Sequence, residues 1–460
     1  MRLRISGSII LGGLLVFGSG CGKDDDNTAG NDGGGNFQVQ MPDQLLVEIR
    51  PVVAIPDTDI WVDIAGDGTD QEGLHYTYQW SRNGTPQDFP EDQTQVASQK
   101  IGTDSFWEVE VTAHANGAPG PTATAAKRVR PTDQTFTAGG SHACRIALNG
   151  VLRCWGSNTH GQLGDGSNED RPAPTEVDGG GIWIAVAAGE QHTCGVRDDH
   201  TLWCWGHNND NQVGRDGDRP QRTPIQVGTD DDWDKVSAGR KHSCAIRQDR
   251  TFWCWGDNLD GGQLGHDHIP GAGVPVQVGR HTHWLGLSSG WNHNCGHLSD
   301  GMMMCWGDNS QGQVGVDTDH TGTPTSIGDD SRWQHVSAGT SHSCGVTTDG
   351  EVWCWGSNHA DQLGTASGST STPVRVGDDN RWYRVAAGTD HSCALRQNRT
   401  LWCWGNNAEG QIYSGSAATV ATPVQVGNQA WAAVHAGDGQ TCGITRDGGR
   451  LECWGRNRPQ

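Results

Sequence analysis

One spacing constrains this chain more than anything else in it. Two cysteines, the second followed by Trp-Gly, recur every 49 to 51 residues. The pairs are Cys144 and Cys154, Cys194 and Cys204, Cys244 and Cys254, Cys295 and Cys305, Cys344 and Cys354, Cys393 and Cys403, and Cys442 and Cys453. Repetition at this period, with short β-like runs in each copy, predicts small sheets arrayed around an axis. Seven copies predict an all-β, seven-bladed propeller. Composition agrees. The 68 glycines and 21 tryptophans, set against 6 Phe and 4 Tyr, suit thin sheets with tight turns and a few large anchors. Few stretches show helical periodicity, so very little helix is expected.

Cysteine parity singles out one residue. Fifteen cysteines less seven pairs leaves Cys21. It follows charged Arg2 and Arg4, a short apolar run from Ile9 to Phe17, and Gly18-Ser19-Gly20. That run is too short to span a bilayer. The segment resembles a bacterial lipoprotein signal, with Gly18 where Leu is usual. The resemblance implies that residues 1–21 are a signal and that Cys21 is lipidated. Residues 22–37, rich in Gly, Asp and Asn, read as a flexible tether. Gly22 in place of Asp after the cysteine favours the outer membrane. The chain is thus expected in the cell envelope, on its periplasmic or surface face, touching membrane only through the lipid. In an exported chain the seven pairs read as disulfides. Zinc would call for closely spaced CxxC pairs, which are lacking.

Residues 38–130 have no cysteine and alternate apolar with polar. Leu45–Ile49, Ile60–Ile64, Tyr76–Trp80 and Phe106–Val111 read as strands, and Asn83-Gly84 as a tight turn. This stretch resembles immunoglobulin-like or fibronectin-type modules. The resemblance implies a β-sandwich with Trp80 in the core of a central strand. Asp63, Asp67, Asp70 and Glu72 read as a solvated loop rather than a calcium site.

Residues 131–460 are the repeats. Each unit holds a Val-Ala-Ala-Gly-type strand, two cysteine strands and an outer Pro-x-x-Val strand, where proline suits an edge. Gly-x-x-His followed by Trp-Gly-x-Asn-x-x-Gly-Gln-Leu-Gly, as from Cys154, resembles the regulator of chromosome condensation repeat. The resemblance covers all seven units and implies a seven-bladed propeller. The last unit lacks an outer strand of its own. Thr124 to Pro131 is expected to supply it, or else to be the last strand of the sandwich.

Within the second unit, a hairpin centred on Asp199 sets Cys194 opposite Cys204 and Val196 opposite Leu202. Each bridge should therefore staple one hairpin within one blade. On the loop-closure relation each is worth about 2.5–3 kcal/mol. The last pair has one extra residue, which calls for a bulge or wider turn at Gly448-Gly449. Trp203 and Trp205 should point away from the disulfide and pack between blades. His142, His192, His242, His293, His342 and His391 recur two residues before the first cysteine, and Gln440 takes that place in the last unit. A metal crown would need ligands throughout. A recurring backbone hydrogen bond tolerates Gln, so the ring reads as structural, with no metal or other cofactor.

The formal net charge of −22 opposes nucleic-acid binding. No Gly-x-Ser-x-Gly, His-Glu-x-x-His or phosphate loop occurs, so no catalytic residue is nominated and no enzyme is expected. The chain reads as a monomeric envelope scaffold that binds a protein or glycan. Its specificity should lie in the variable loops near 165–173, 215–223, 265–274, 315–323, 365–372 and 412–422. An exported enzyme inhibitor is the alternative, weakened by the near absence of aromatics in those loops, Tyr413 aside. An uncharacterised enzyme is the third reading.

Overall fold

The structure is a computed structural model. It describes residues 46–50, 60–65, 74–97, 106–115, 118–128, 135–259, 261–328, 333–412, 417–446 and 450–456. Every regular element among them is a strand.

The second blade shows how the repeat builds a sheet. Its strands are Trp183–Ala188, His192–Arg197, Leu202–Gly206 and Gln221–Gln226, paired antiparallel in sequence order from the axis outward. Cys194 lies opposite Cys204 and Val196 opposite Leu202. The glycine of Cys-Trp-Gly has a steric cause. Gly206 has φ +101, and the ladder to the outer strand shifts register between Cys204 and Gly206. A Cβ there would stand 2.6 Å from the Gln191 carbonyl and 2.7 Å from the His192 Cα. Only glycine takes this bend without strain.

The pairing expected of the cysteines is the pairing found. Cys144 is bonded to Cys154, Cys194 to Cys204, Cys244 to Cys254 and Cys295 to Cys305. Cys344 is bonded to Cys354, Cys393 to Cys403 and Cys442 to Cys453. Each bridge crosses its own hairpin, with Cα atoms 4.0–4.1 Å apart. The register explains why. Cys254 faces Cys244, Cys305 faces Cys295, Cys354 faces Cys344 and Cys403 faces Cys393 directly across the ladder. Six blades have four strands, and the seventh has three among the described residues. Inner strands touch in order around the ring, and the seventh, Trp431–Ala436, closes on the first, Phe136–Ala138.

Of the two readings of Thr124 to Pro131, closure of the ring is not what the structure shows, and its described part is a strand of the leading domain. Ala118–Arg128 is one strand, paired antiparallel with Phe106–Ala115 from Ala115↔Ala118 to Phe106↔Arg128. Among the described residues it joins no strand of the last blade, and it packs against Leu46–Arg50 instead. Its long ladder to Phe106–Ala115 holds it in the leading domain. Residues 129–131 lie outside the described residues.

Ahead of the ring, two sheets share one core. One holds Leu46–Arg50, Ile60–Ala65 and Gln95–Val96; the other holds Thr85–Pro86, Leu74–Arg82, Phe106–Ala115 and Ala118–Arg128. Trp80 is fully buried on a central strand, edge-on to Trp107, and donates to the Gln93 carbonyl at 2.7 Å. Asn83-Gly84 turns the hairpin, both residues with positive φ. Asp63 pairs with Arg50 at 3.2 Å. Asp67, Asp70 and Glu72 lie outside the described residues, as do residues 1–45, with Cys21 among them, and Gly448-Gly449.

Candidate interaction face at the channel mouth

The regularity of the repeat is mostly inter-blade joinery. Asn158 accepts the Leu163 amide through Oδ1 at 2.9 Å and so holds the Gly-Gln-Leu-Gly turn. That turn offers the Gln162 carbonyl to the next blade, where Trp205 Nε1 donates at 2.9 Å and Thr193 Oγ1 at 2.7 Å. Leu163 is fully buried at the same junction. The second tryptophan of the motif therefore packs between blades. The first does otherwise: the Arg197 guanidinium of its own blade lies over Trp203 at 3.9 Å and over Trp183 at 4.8 Å. Arg247 and Arg396 likewise lie over both rings of an edge-to-face tryptophan pair in the third and sixth blades.

The six histidines are fully or almost fully buried, and their bonds differ from the expected backbone contact. Each Nε2 reaches a side chain in the next blade: His142 to Thr193, His192 to Ser243, His242 to Asn294, His293 to Ser343, His342 to Ser392 and His391 to Thr441, at 2.7–2.9 Å. The Thr193 hydroxyl already donates to Gln162, so by the network His142 must donate from Nε2. Burial drives all six well below the usual imidazole value, to about 4 for His142, His242 and His391 and about 3 for His192, His293 and His342. A neutral ring whose Nε2 is spent on the next blade is a joint between blades. Among the described residues no three His, Cys, Asp or Glu side chains gather as a metal site.

Just before each histidine turn, backbone hydrogen bonds run from blade to blade around the axis. Gly140 N bonds Gly189 O at 3.1 Å, Glu190 N bonds Gly239 O at 3.2 Å, and the series continues to Thr389 N and Gly437 O at 3.3 Å. A Cβ on Gly189 would meet the Gly239 carbonyl at 2.5 Å, so the approach requires glycine. Inside this ring lies an axial cavity of about 170 Å³, lined by the inner strands of all seven blades.

The residue after each ring glycine stands at the cavity mouth, and here the units diverge: Gly140, Glu190, Arg240, Trp291, Thr340, Thr389 and Asp438. Arg240 pairs with Glu190 at 3.5 Å and lies over the Trp291 ring at 5.1 Å. Further ion pairs bridge adjacent blades nearby, Lys241 with Asp210 at 3.4 Å and Arg456 with Glu409 at 3.1 Å, and His359 Nε2 approaches Asp390 at 3.4 Å. Leu259 is 75% exposed, on the loop after the third strand of the third blade.

In an antiparallel blade, the connection from first to second strand and that from third to fourth leave the sheet at the same end. The expected variable loops therefore share this face with the mouth. Part of their sequence is structural: Arg171 pairs with Asp165 at 2.8 Å, and Ser371 bonds Asp317 of the preceding blade. Tyr413 lies outside the described residues. Trp291 was missed in the sequence, although it is an aromatic in a slot that elsewhere holds Gly, Glu, Arg, Thr or Asp.

The fold and its joints define a seven-bladed β-propeller with a continuous, mixed-chemistry face around its axis. Models of the regulator of chromosome condensation (RCC1) repeat match residues 135–162, 183–212, 233–261, 286–313, 333–362 and 383–411, and, in a longer form, 149–196, 199–246, 300–346 and 349–395. The chain belongs to the RCC1 repeat family. Human WBSCR16 superposes with a TM-score of 0.61 at 18% identity, over 71% of this chain and 89% of that one. Yeast RCC1 (Prp20), solved with Kap60, gives 0.60 at 21% identity over 70% and 79%. The same Saccharomyces cerevisiae protein, in a structure whose title names binding to Gsp1p and histones, gives 0.60 at 21% over 70% and 81%. No curated protein sequence matches this chain.

Proposed function

We propose that this chain is a cell-envelope lipoprotein whose propeller is a protein-binding scaffold. In this reading residues 1–21 are the signal, Cys21 carries the lipid, residues 22–37 are a tether, 38–130 an immunoglobulin-like module and 131–460 the propeller. Seven disulfides suit an oxidising compartment. The observation that carries the binding role is the Glu190–Arg240–Trp291 cluster at the cavity mouth; Leu259 is exposed on a loop that leaves its blade at the same end. Trp and Arg at the centre of a face, ringed by polar groups, is the arrangement from which protein interfaces draw most of their energy. It favours a protein over a glycan as the partner. A yeast relative solved with a protein partner fits this class of role without naming a partner here. No reaction is proposed, and the molecule acts as a monomer with no nucleic-acid role.

The test compares the full chain with a double variant, Trp291→Ala with Leu259→Asp, as bait in envelope extract. A specific partner should be retained by the first and lost, at least ten-fold, by the second with its melting temperature unchanged (the loss follows from anchor energies of about 1–2 kcal/mol or more). A partner held equally by both, or cross-linked only to the opposite face, refutes the assignment.

A further inference from the structure

We propose that the axial cavity is a binding site for a small carboxylate, seated between the sixth and seventh blades on Arg384 and the Ala436 amide. The site lies below the protein-binding face and does not require it. The inner strand of each blade is a sheet edge, so some of its amides face away from the ladder. One of them is answered in a regular way. The Ala188 amide bonds Thr137 Oγ1 at 3.1 Å, Ser289 bonds Ser237 Oγ at 2.9 Å, Ala338 bonds Ser288 Oγ at 2.9 Å and Ala387 bonds Ser337 Oγ at 3.0 Å. The Ala138 amide bonds His435 Nδ1 at 3.3 Å. Each acceptor is a side chain of the preceding blade. Two joints break the pattern. Ala187 stands before the Ala238 amide, and Ala386 before the Ala436 amide. A methyl group accepts no hydrogen bond, so these two amides lack the acceptor that the other five have. Both residues line the cavity.

Of the two open joints, one also carries a cation. Residues two apart on a strand share a face. In the third blade Lys235 and Ser237 both reach forward to the fourth: Lys235 Nζ donates to the Leu285 carbonyl at 2.6 Å, and Ser237 accepts the Ser289 amide. Arg384 and Ala386 hold the same two positions in the sixth blade and so face the seventh. The second blade has Ala185 and Ala187 there. Arg384 lines the cavity, as does His335, its counterpart in the fifth blade. A guanidinium has five N–H donors, enough for a neighbour and a carboxylate together. The carboxylates lining the cavity are Glu190 and Asp438, both at its mouth and both ion-paired, with Arg240 at 3.5 Å and Arg456 at 3.2 Å. The inner end is thus rich in donors, in a chain whose formal net charge is −22.

These donors select the ligand. One guanidinium and one amide balance a single carboxylate, whose two coplanar oxygens suit the guanidinium fork. A doubly charged phosphate would call for a second cation beside them. A cavity of about 170 Å³ has the volume of about six waters at roughly 30 Å³ each, so the ligand lies between acetate and succinate in size.

The repeat itself supplies the control. Ala386→Ser restores the hydroxyl that Ser337 carries one blade earlier, so the chain should fold and close the site from within. With the full chain, sodium acetate should shift the Ala436 amide resonance saturably, and sodium chloride at equal ionic strength should not. Apparent affinity should fall at least ten-fold in Ala386→Ser and in Arg384→Gln. Ala187→Ser closes the other open joint and should leave the affinity unchanged. The proposal is overturned by the absence of a saturable shift, by a matching shift with chloride, or by an equal loss in Ala187→Ser. It is overturned equally if the Ala386→Ser chain, with its melting temperature retained, titrates like the parent. Tighter binding of inorganic phosphate than of acetate would overturn the carboxylate assignment.

Discussion

Each of the six buried histidines trades hydration for one bond to the next blade, and the trade is pH-dependent. Their folded-state values near 3 to 4 lie below the ordinary 6.5. The unfolded chain therefore binds more protons than the folded one below about pH 6.5. Stability is fully present above that pH and falls as acid approaches the folded values. At about 1.4 kcal/mol per unit, each ring is worth up to roughly 3–5 kcal/mol over the full range. A few such terms exceed the usual net stability of a domain, about 5–15 kcal/mol, so unfolding should come before the rings protonate in place. The melting temperature is expected to hold from pH 8 to 7 and drop steeply between pH 6.5 and 4.5. A flat profile across that window would contradict the tautomer and burial assigned to the ring. The identity of these histidines was plain in the sequence. Their partner was not, because it lies one repeat away, and only the ring brings His142 to Thr193.

At the level of the element, the unit of construction is a stapled hairpin. The pairing Cys194↔Cys204 and Val196↔Leu202 was readable because the residues are close in sequence and a period of two leaves little choice. Each staple closes a short loop. Replacing both Cys194 and Cys204 by Ala should cost about 2.5–3 kcal/mol through the unfolded state. The loss is measured by denaturant midpoint at unchanged slope, and an unchanged midpoint would show that the hairpin is held by its ladder and packing alone. The outer strand of the last blade was harder to place. Thr124 to Pro131 was a plausible candidate by position, yet its alternation served equally well in the sheet that holds Phe106–Ala115. A one-off strand has no repeat to fix its register, whereas the six regular outer strands do.

Across the whole molecule, one junction differs from the rest. Between the seventh and first blades, Gln440 stands where other blades have His, and Ala143 where others have Ser, Thr or Asn. The Gln440 amide nitrogen finds no hydrogen-bond partner there. His435 takes over a role held by Ser237, Ser288 and Ser337 elsewhere, receiving the Ala138 amide at 3.3 Å. This junction should be the weakest in the ring. Amides of Phe136–Ala138 and Trp431–Ala436 are expected to exchange faster than those of Trp233–Ala238. Equal rates would show that the substitutions there are compensated. The number of blades was legible in the sequence from the cysteine count alone. The interaction face was legible only in part, since Trp291 gains meaning from neighbours two units around a ring rather than from its own motif.

The disulfides also set how the molecule would answer a pull. Every disulfide closes within a blade, and none joins one blade to the next. Under tension the ring parts at its histidine joints first, while each hairpin stays knotted and withholds its ten or eleven residues from extension. A stretched chain would become a string of seven small beads, each still shaped to find its neighbours when the load is released.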